Sequence, residues 1–360
     1  MLRMTDLEWP IIQAPMAGVA TPRLAAAVSN AGGLGSLGVG ATNADGAREM
    51  IHQLKTLTDK PFNVNLFVHE APTRDEEREA AWLDWLAPHF RDFEAHPPQQ
   101  LSSPYTSFLD DRAMLSMLLE TRPPVLSFHF GLPSAHAIDS LHSAGITLMA
   151  TATCLEEAKA IEAAGLDGII AQGIEAGGHR GVFDPTAVDE KLETIELTRL
   201  LVRETALPII AAGGIMDGAG IARALEYGAI AAQLGTAFIA CPESSADDAY
   251  RDALLGPAAT ETCLTSVISG RPARTLRNRF TALEQDAIST ASMPIPPDYP
   301  LTYYAGKALH ASGKAKGVHG FGAHWAGQGA PLARAIPAEE LMRVLVEEWQ
   351  MASQSSTLPN

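Results

Sequence analysis

Short apolar runs alternate with amphipathic segments along most of the chain, which is typical of βα units around a parallel sheet. Amphipathic segments such as residues 21–30, 155–164 and 218–227 end near Ala-Gly or Tyr-Gly pairs, which are helix stop signals. Eight strand candidates favour a closed α/β structure, a (β/α)8 TIM barrel, over an open sheet. The candidates are residues 10–14, 34–38, 62–66, 125–130, 146–150, 168–172, 207–212 and 231–234.

Two stretches interrupt this alternation. Residues 70–124 are rich in Trp, acidic residues and Pro, and residues 241–330 are long, aromatic and contain Pro. We therefore predict a barrel formed by residues 1–240 and 331–360, with an insertion at 70–124. Residues 241–330 would form a smaller, mostly helical inserted domain on the substrate side of the barrel. The helical pattern of residues 338–350 would supply the helix that closes the barrel.

Length and charge narrow the classes of function. The 360 residues suit a barrel of about 250 residues plus a smaller addition. The net charge of −16 argues against a nucleic-acid partner, because neutralising phosphates requires clustered Lys and Arg. No run approaches the roughly 20 uninterrupted apolar residues of a membrane span. Three widely spaced cysteines, and a start without the apolar core of a signal peptide, predict a cytoplasmic protein.

Small residues follow three of the predicted strands, at the end where barrels place their active sites. The sequence AAGGI (residues 211–215) follows the seventh strand, and QLGTA (233–237) follows the eighth. Free backbone N–H groups at such turns bind phosphate, which favours a phosphate site over a pure packing role for these glycines. The sequence QAPMAG (13–18) follows the first strand, where it either lets a flat ring approach the backbone or forms an ordinary tight turn.

Two histidines lie near predicted strand ends. His179 is surrounded by four glycines in the segment 172–181 after the sixth strand, and its imidazole titrates in the range that suits a general base. The alternative is a loop histidine that is hydrogen-bonded to the backbone. His129 ends the fourth strand, where it either contacts a substrate or is a satisfied buried histidine. No Cys, Asp or Glu completes a metal-ligand set at a recognisable spacing, so we predict no metal.

Tyr299, Tyr303 and Lys307 lie close together within the second irregular stretch. Tyr303 and Lys307 share one face if this region is helical, because they are four residues apart. An aromatic wall with a single cation suits a small anionic substrate above a flavin, while a core-facing stripe is the alternative.

Taken together, these motifs resemble those of the nitronate monooxygenases, formerly called 2-nitropropane dioxygenases. The resemblance spans nearly the whole chain, and the Tyr299, Tyr303 and Lys307 cluster is similar to the first class of that family. The matching segments are APMAG (14–18), NVNLF (63–67), SFHFG (127–131), residues 173–181, AAGG (211–214) and GQG (327–329).

The resemblance implies an FMN enzyme without a nicotinamide requirement, in which His179 removes the α-proton of a neutral nitroalkane. A nitronate needs no base, and it would give one electron to the flavin to form a flavosemiquinone, with O2 then yielding a carbonyl compound and nitrite. The family suggests propionate 3-nitronate, a toxic natural product, as the substrate and detoxification as a role. Lys307 or Arg180 would pair with its anionic groups.

The resemblance also assigns roles to individual positions. His129, Tyr299, Tyr303 and Lys307 would lie at the substrate. The implied FMN contacts are Ala14, Pro15, Met16, Asn65, Gln172, Gly177, Gly178, Gly213, Gly214, Gln233, Gly235, Thr236 and Gln328.

Other functions fit the same pattern. An FMN-dependent NADH:quinone reductase or enoyl reductase on this barrel is the nearest alternative, and it would need a nicotinamide site. A flavin-free barrel acting as an isomerase or aldolase on a sugar phosphate is a more distant one, followed by a binding module without catalysis. The sequence leaves both a monomer and a homodimer open.

Overall fold

The computed structural model of the chain describes residues 7–290 and 292–355. All eight predicted strands are present, together with three short ones. The strands are β1 (Ile11–Gln13), β2 (Gly35–Gly38), β3 (Phe62–Phe67), β4 (Val125–His129), β5 (Thr147–Ala152), β6 (Gly168–Gln172), β7 (Gly178–His179), β8 (Ile209–Ala212), β9 (Ala231–Leu234), β10 (Thr262–Thr265) and β11 (Ala273–Leu276).

Eight parallel strands of the described residues form a closed barrel, which confirms the predicted fold class. Their order is β1-β9-β8-β6-β5-β4-β3-β2. Closure comes from a parallel bridge between Ile12 and Leu34, in which Gln13 N donates to the carbonyl of Leu34 at 3.0 Å. The small sheet β10-β11-β7 lies outside the barrel and is antiparallel.

Helices follow most of the barrel strands, as the amphipathic segments predict. Thr21 and Asp217 cap two of them, because their side chains accept hydrogen bonds from first-turn amides. The helices are α1 (Pro22–Asn30), α2 (Ala44–Leu57), α3 (Glu76–Arg91), α4 (Arg112–Thr121), α5 (Ala135–Ser143), α6 (Leu155–Ala163), α7 (Thr194–Glu204), α8 (Gly218–Glu226), α9 (Thr236–Ile239), α10 (Asp248–Leu255), α11 (Arg279–Ser289), α12 (Leu301–Ala315) and α13 (Ala338–Ser355).

Successive side chains of each strand fill two hydrophobic layers. On β6, Ile169 packs outward in one cluster with Leu197 and Leu201 of α7. The next residue, Ile170, points inward and joins Ile210 in the barrel interior. This alternation follows from the two-residue period of a strand, and it fills the barrel with side chains beneath its carboxyl-terminal face.

The last helix closes the outer layer, as predicted. Leu341 and Leu345 of α13 share a hydrophobic cluster with Leu24 of α1 and Ile221 of α8. The backbones of α8 and α13 approach so closely that a Cβ atom at Gly218 would lie 2.1 Å from the amide nitrogen of Trp349.

The two irregular stretches pack against each other. Trp82 and Phe90 of α3 form one buried cluster with Phe280, Leu301 and Leu309 of the later stretch. Residues 241–330 contain α10, α11 and α12, but also β10 and β11, so this region mixes helices with a small sheet.

Helix α4 lies within residues 70–124 but belongs to the barrel's helical layer, where Met114, Met117 and Leu118 join the outer cluster. The sequence pattern grouped it with the irregular stretch because α3 precedes it without an intervening strand. The domain boundaries themselves stay a prediction, and their ends at residues 1–6 and 356–360 lie outside the described residues. Among the described helices, none combines the length and the apolar character needed to cross a bilayer.

Candidate active site

A cavity of about 470 Å³ opens at the carboxyl ends of the barrel strands. All of the sequence-predicted site residues line it except Arg180, which is described below, and two others. The lining residues among them are Ala14, Pro15, Met16, Asn65, His129, Gln172, Gly177, Gly178, His179, Gly213, Gly214, Gln233, Gly235, Thr236, Tyr303 and Lys307. The two others are Tyr299, which is buried against the His179 ring with 5.5 Å between ring centres, and Gln328, whose side chain is exposed.

One side of the cavity consists of backbone with free hydrogen-bond donors. The amides of Gly213, Gly214 and Gly235 donate to no acceptor in the described part of the chain. Gly213 (φ 129°) and Gly214 (φ 68°) adopt positive φ angles that favour glycine, and a Cβ at Gly213 would lie 2.6 Å from Thr194 Oγ1. These amides can therefore bind an anion such as a phosphate.

Two amide side chains that line the cavity, on strands β9 and β3, also have unused hydrogen-bonding capacity. Gln233 Oε1 is buried and accepts no hydrogen bond from the described residues. Asn65 uses its Nδ2 to donate to the carbonyl and hydroxyl of Ser127, at 3.1 and 3.0 Å, which leaves its Oδ1 as an acceptor. A buried acceptor without a donor lowers the free energy of unfolding by about 1–3 kcal/mol, so a bound ring that carries N–H donors would stabilise the protein by donating to these oxygens.

His179 lies on the strand β7, whereas the sequence predicted a free loop. β7 pairs with β11, with His179 opposite Ala273. The carbonyl of His179 accepts hydrogen bonds from Gln172 Nε2 at 3.0 Å and His129 Nε2 at 3.2 Å. Since a carbonyl only accepts, His129 carries its proton on Nε2, and its Nδ1 accepts from the Thr151 hydroxyl at 3.0 Å. Both ring nitrogens of His129 thus form hydrogen bonds within the protein.

The His179 ring is fixed by a serine from the later stretch. Its Nε2 lies 2.8 Å from Ser269 Oγ, and this hydroxyl donates to the carbonyl of Arg271 at 3.2 Å. Ser269 therefore accepts from Nε2–H, which leaves Nδ1 as a hydrogen-bond acceptor for a ligand. Burial, with smaller contributions from His129 and Arg271, lowers the pKa of His179 to about 3, so the ring is neutral.

Arg180 directs four of its five guanidinium N–H groups to acceptors within the protein. It is buried, its Nε and Nη2 bind the carboxylate of Asp189 at 2.8 and 3.0 Å, and its Nη1 donates to the carbonyls of Gln172 and Gly173 at 2.9 and 3.0 Å. The implied pairing of Arg180 with a substrate anion is therefore wrong. Its guanidinium instead holds the ends of the segment that carries His179.

Two lysines line the cavity, and Lys307 is the one without a carboxylate partner among the described residues, because Lys314 is paired with Asp247 at 2.7 Å. Lys307 lies on α12 with Tyr303, as the spacing predicted, and its Nζ is 5.1 Å from the centre of that ring and 4.8 Å from that of Tyr105. Burial lowers its pKa, and it forms no ion pair with a carboxylate of the described residues. Trp325 completes the aromatic wall, with its ring centre 5.0 Å from that of His179.

Sequence reasoning missed three of these residues. Tyr105 lies in the first irregular stretch, where its position after Pro104 is the sole local signal. Trp325 precedes the GQG segment by two residues, and this proximity to a matching motif is the signal that could have identified it. Ser269 has no local signal, because its contact with His179 spans 90 residues.

No group of three or more His, Cys, Asp or Glu side chains in the described residues is arranged to hold a metal ion. The fold and the cavity thus define a (β/α)8-barrel enzyme whose cavity is lined by free backbone amides, a neutral histidine and an ammonium without a carboxylate partner among the described residues.

Known proteins identify the family. The profile of the nitronate monooxygenase family matches residues 1–348, and the chain belongs to that family. It is 62% identical to a nitronate monooxygenase of Paraburkholderia phytofirmans over 348 residues, which are 97% of this chain and 94% of that protein. It is 55% identical to a nitronate monooxygenase of Pseudomonas aeruginosa over 346 residues, which are 96% and 97% of the two chains.

A solved structure is similar over the same extent. The nitroalkane oxidase from Streptomyces ansochromogenes matches with a TM-score of 0.89 and 39% identity, covering 98% of this chain and 99% of that one. The resemblance found in the sequence motifs is thereby confirmed, and the chain is an oxidoreductase of this family.

The buried histidines predict how stability depends on pH. Burial lowers the pKa of His69, His129 and His324 to about 4 and that of His179 to about 3. The unfolded chain binds these protons near pH 6.5 and the folded chain does not, so stability falls as the pH drops from 6.5 toward 4. The limit is about 1.4 kcal/mol per pH unit for each histidine. Urea unfolding at pH 7.5 and pH 5 measures this loss.

The matched control for this prediction is a histidine on the surface. His69→Gln should make unfolding less sensitive to acid, whereas replacement of the exposed His52 on α2 should leave the slope unchanged. An unfolding free energy that is the same at both pH values would contradict the assignment of neutral, buried histidines.

Proposed function

We propose that this chain is an FMN-dependent monooxygenase that oxidises small alkyl nitronates with O2 to carbonyl compounds and nitrite. The observation that carries the proposal is that one cavity is lined by two sets of residues, the free backbone amides of Gly213, Gly214 and Gly235, and the side chains of Lys307 and His179. The first suits a phosphorylated cofactor, and the second suits a small anion held beside it.

The free backbone amides and the amide side chains that line the cavity fit FMN. Flavin dependence is a property of the family, and the free amides of Gly213, Gly214 and Gly235 would hold the phosphate. Gln233 Oε1 and Asn65 Oδ1 would accept from the N–H groups of the flavin ring. When bound, FMN would supply the redox chemistry between nitronate and O2.

The side chains of Lys307 and His179 favour a nitronate over a neutral nitroalkane. Lys307 has no carboxylate partner among the described residues, so it can pair with a nitronate or with the carboxylate of propionate 3-nitronate. His179 presents Nδ1 as an acceptor, but a group with a pKa of about 3 is a weak general base at neutral pH. A substrate that arrives without its α-proton avoids this step.

A steady-state assay tests the function against its nearest alternatives. With ethyl nitronate, the purified protein should consume O2 and release nitrite without NADH. Quinone or enoyl reduction that requires NADH, with no nitrite from the nitronate, would assign the chain to the reductases of this barrel type. The cytoplasmic location stays a prediction from the sequence.

The cofactor assignment predicts a yellow protein with one FMN per chain. Gly214→Val should weaken FMN binding by blocking backbone approach to the phosphate. Gly317→Val is the matched control, because Gly317 also has a positive φ, of 75°, but a Cβ there would meet nothing within 4 Å. Flavin absorbance per chain measures the outcome. Equal flavin content in the two variants would place the phosphate elsewhere.

Lys307→Met should raise KM more for propionate 3-nitronate than for uncharged nitroethane, because only the former can use a charge-assisted contact. Lys316→Met serves as the control, since Lys316 is paired with Glu94 at the end of the same helix. Initial rates over a range of substrate concentrations give the two ratios. The same change in KM for both substrates would mean that Lys307 acts through packing.

His179→Asn separates base catalysis from substrate positioning. Nitroethane must lose a carbon-bound proton, whereas its nitronate has already lost it. The variant should therefore lose roughly 10²- to 10⁴-fold in kcat/KM with the nitroalkane and far less with the nitronate. The wild-type rate with the nitroalkane should itself be low, given the lowered pKa of the ring. Equal losses with both substrates, at unchanged FMN content, would make His179 a positioning residue.

A further inference from the structure

Arg271 is a buried cation with no carboxylate of the described residues bound to it. Its side chain is 4% exposed, and the guanidinium donates to the neutral carbonyls of Val182 and Phe183, at 2.9 and 3.3 Å. It differs in this respect from Arg180, which binds Asp189. An unpaired charge in the interior is costly, so its presence calls for a compensating role.

Arg271 is connected to His179 through the ring of Phe130. Its guanidinium carbon is 4.4 Å from the centre of the Phe130 ring, and the centre of that ring is 5.7 Å from that of His179. Phe130 adopts a φ of 80°, a conformation that residues other than glycine rarely adopt. The strained residue thus contacts both the buried cation and the ring that faces the ligand.

The charge of Arg271 affects the electrostatic potential at the cavity. It contributes to lowering the pKa of His69, His129 and His179, after the larger effect of burial. A positive potential that opposes a proton on these rings favours a negative charge placed beside them. Two of the three, His129 and His179, line the cavity.

The other charged and titratable groups near Arg271 leave this potential in place. Glu157 and Asp184 raise the pKa of Arg271, as does Tyr299, but burial outweighs them and the value falls to about 10. The carboxylate of Glu157 already accepts hydrogen bonds from both the amide and the hydroxyl of Thr153. Asp184 is exposed to solvent, which screens its charge.

We propose that Arg271 is a charge-selectivity residue, whose buried guanidinium favours an anionic ligand beside His179 over a neutral ligand of the same shape. The identity of the natural anion as a nitronate rests on the proposed function, but the selectivity does not. A unit charge acting over roughly 8–10 Å at an effective dielectric constant of about 20 corresponds to about 15- to 35-fold in affinity.

The test compares propionate with propionamide, which share a planar shape and differ by one charge. Their dissociation constants for the flavin-loaded protein are measured from the shift of the flavin absorption band. The wild type should prefer propionate, and Arg271→Gln should reduce that preference about 15- to 35-fold. Arg271→Lys also loses the guanidinium geometry but keeps the charge, so it should retain most of the preference. Equal effects of Gln and Lys, or an unchanged ratio in the Gln variant, would overturn the proposal.

A second measurement leaves the buried arginine in place and so does not depend on the folding of its variants. In Lys307→Met, which removes the cation at the cavity wall, a preference for propionate should remain and should persist at roughly 1 M NaCl, because a buried charge is poorly screened. Loss of all preference in this variant would assign the selectivity to Lys307 alone and overturn the proposal. Failure to oxidise nitronates, with the preference intact, would reject the proposed function and leave this inference standing.

Discussion

The pairing of β7 with β11 is the interaction on which the site depends. It joins a two-residue strand that follows the sixth barrel strand to the stretch of chain that follows the eighth. Through it, His179 is oriented by Ser269, which comes from that later stretch. The buried pair of Arg180 and Asp189 fixes the same segment from the other side. Losing either partner of that pair would leave a buried charge unpaired, which is a large cost.

Much of this architecture could be predicted from the sequence, because its determinants are local. The barrel strands are short buried runs bounded by Gly and Pro, and helices such as α1 and α8 begin at residues that cap their own first turns. Strand ends in a parallel barrel converge on one face. The positions of the strands along the chain are therefore enough to bring Asn65, Gly214 and His179 to one cavity.

What the sequence could not predict depends on contacts between distant segments. A two-residue strand such as β7 has no periodicity, so only its pairing with β11 defines it. Ser269 and Tyr105 reach the site from the two irregular stretches, whose mutual packing has no sequence signal. The resemblance implied a substrate contact for Arg180, but acceptors within the protein bind four of the five N–H groups of its guanidinium.

The electrostatics of the site follow from the same burial. His129 and His179 lie near the buried Arg271, and neither Arg271 nor Lys307 has a carboxylate partner among the described residues, in a protein whose net charge is −16. Unpaired buried cations cost stability, and under the proposed function a bound anion would offset part of this cost.

The most direct measurement of the central claim is the absorption spectrum of the flavin-loaded protein under anaerobic conditions, recorded after ethyl nitronate or NADH is added. We expect the nitronate to bleach the flavin band and NADH at the same concentration to leave it unchanged. Bleaching by NADH together with no response to the nitronate would contradict the assignment of this chain as a nitronate-oxidising flavoenzyme.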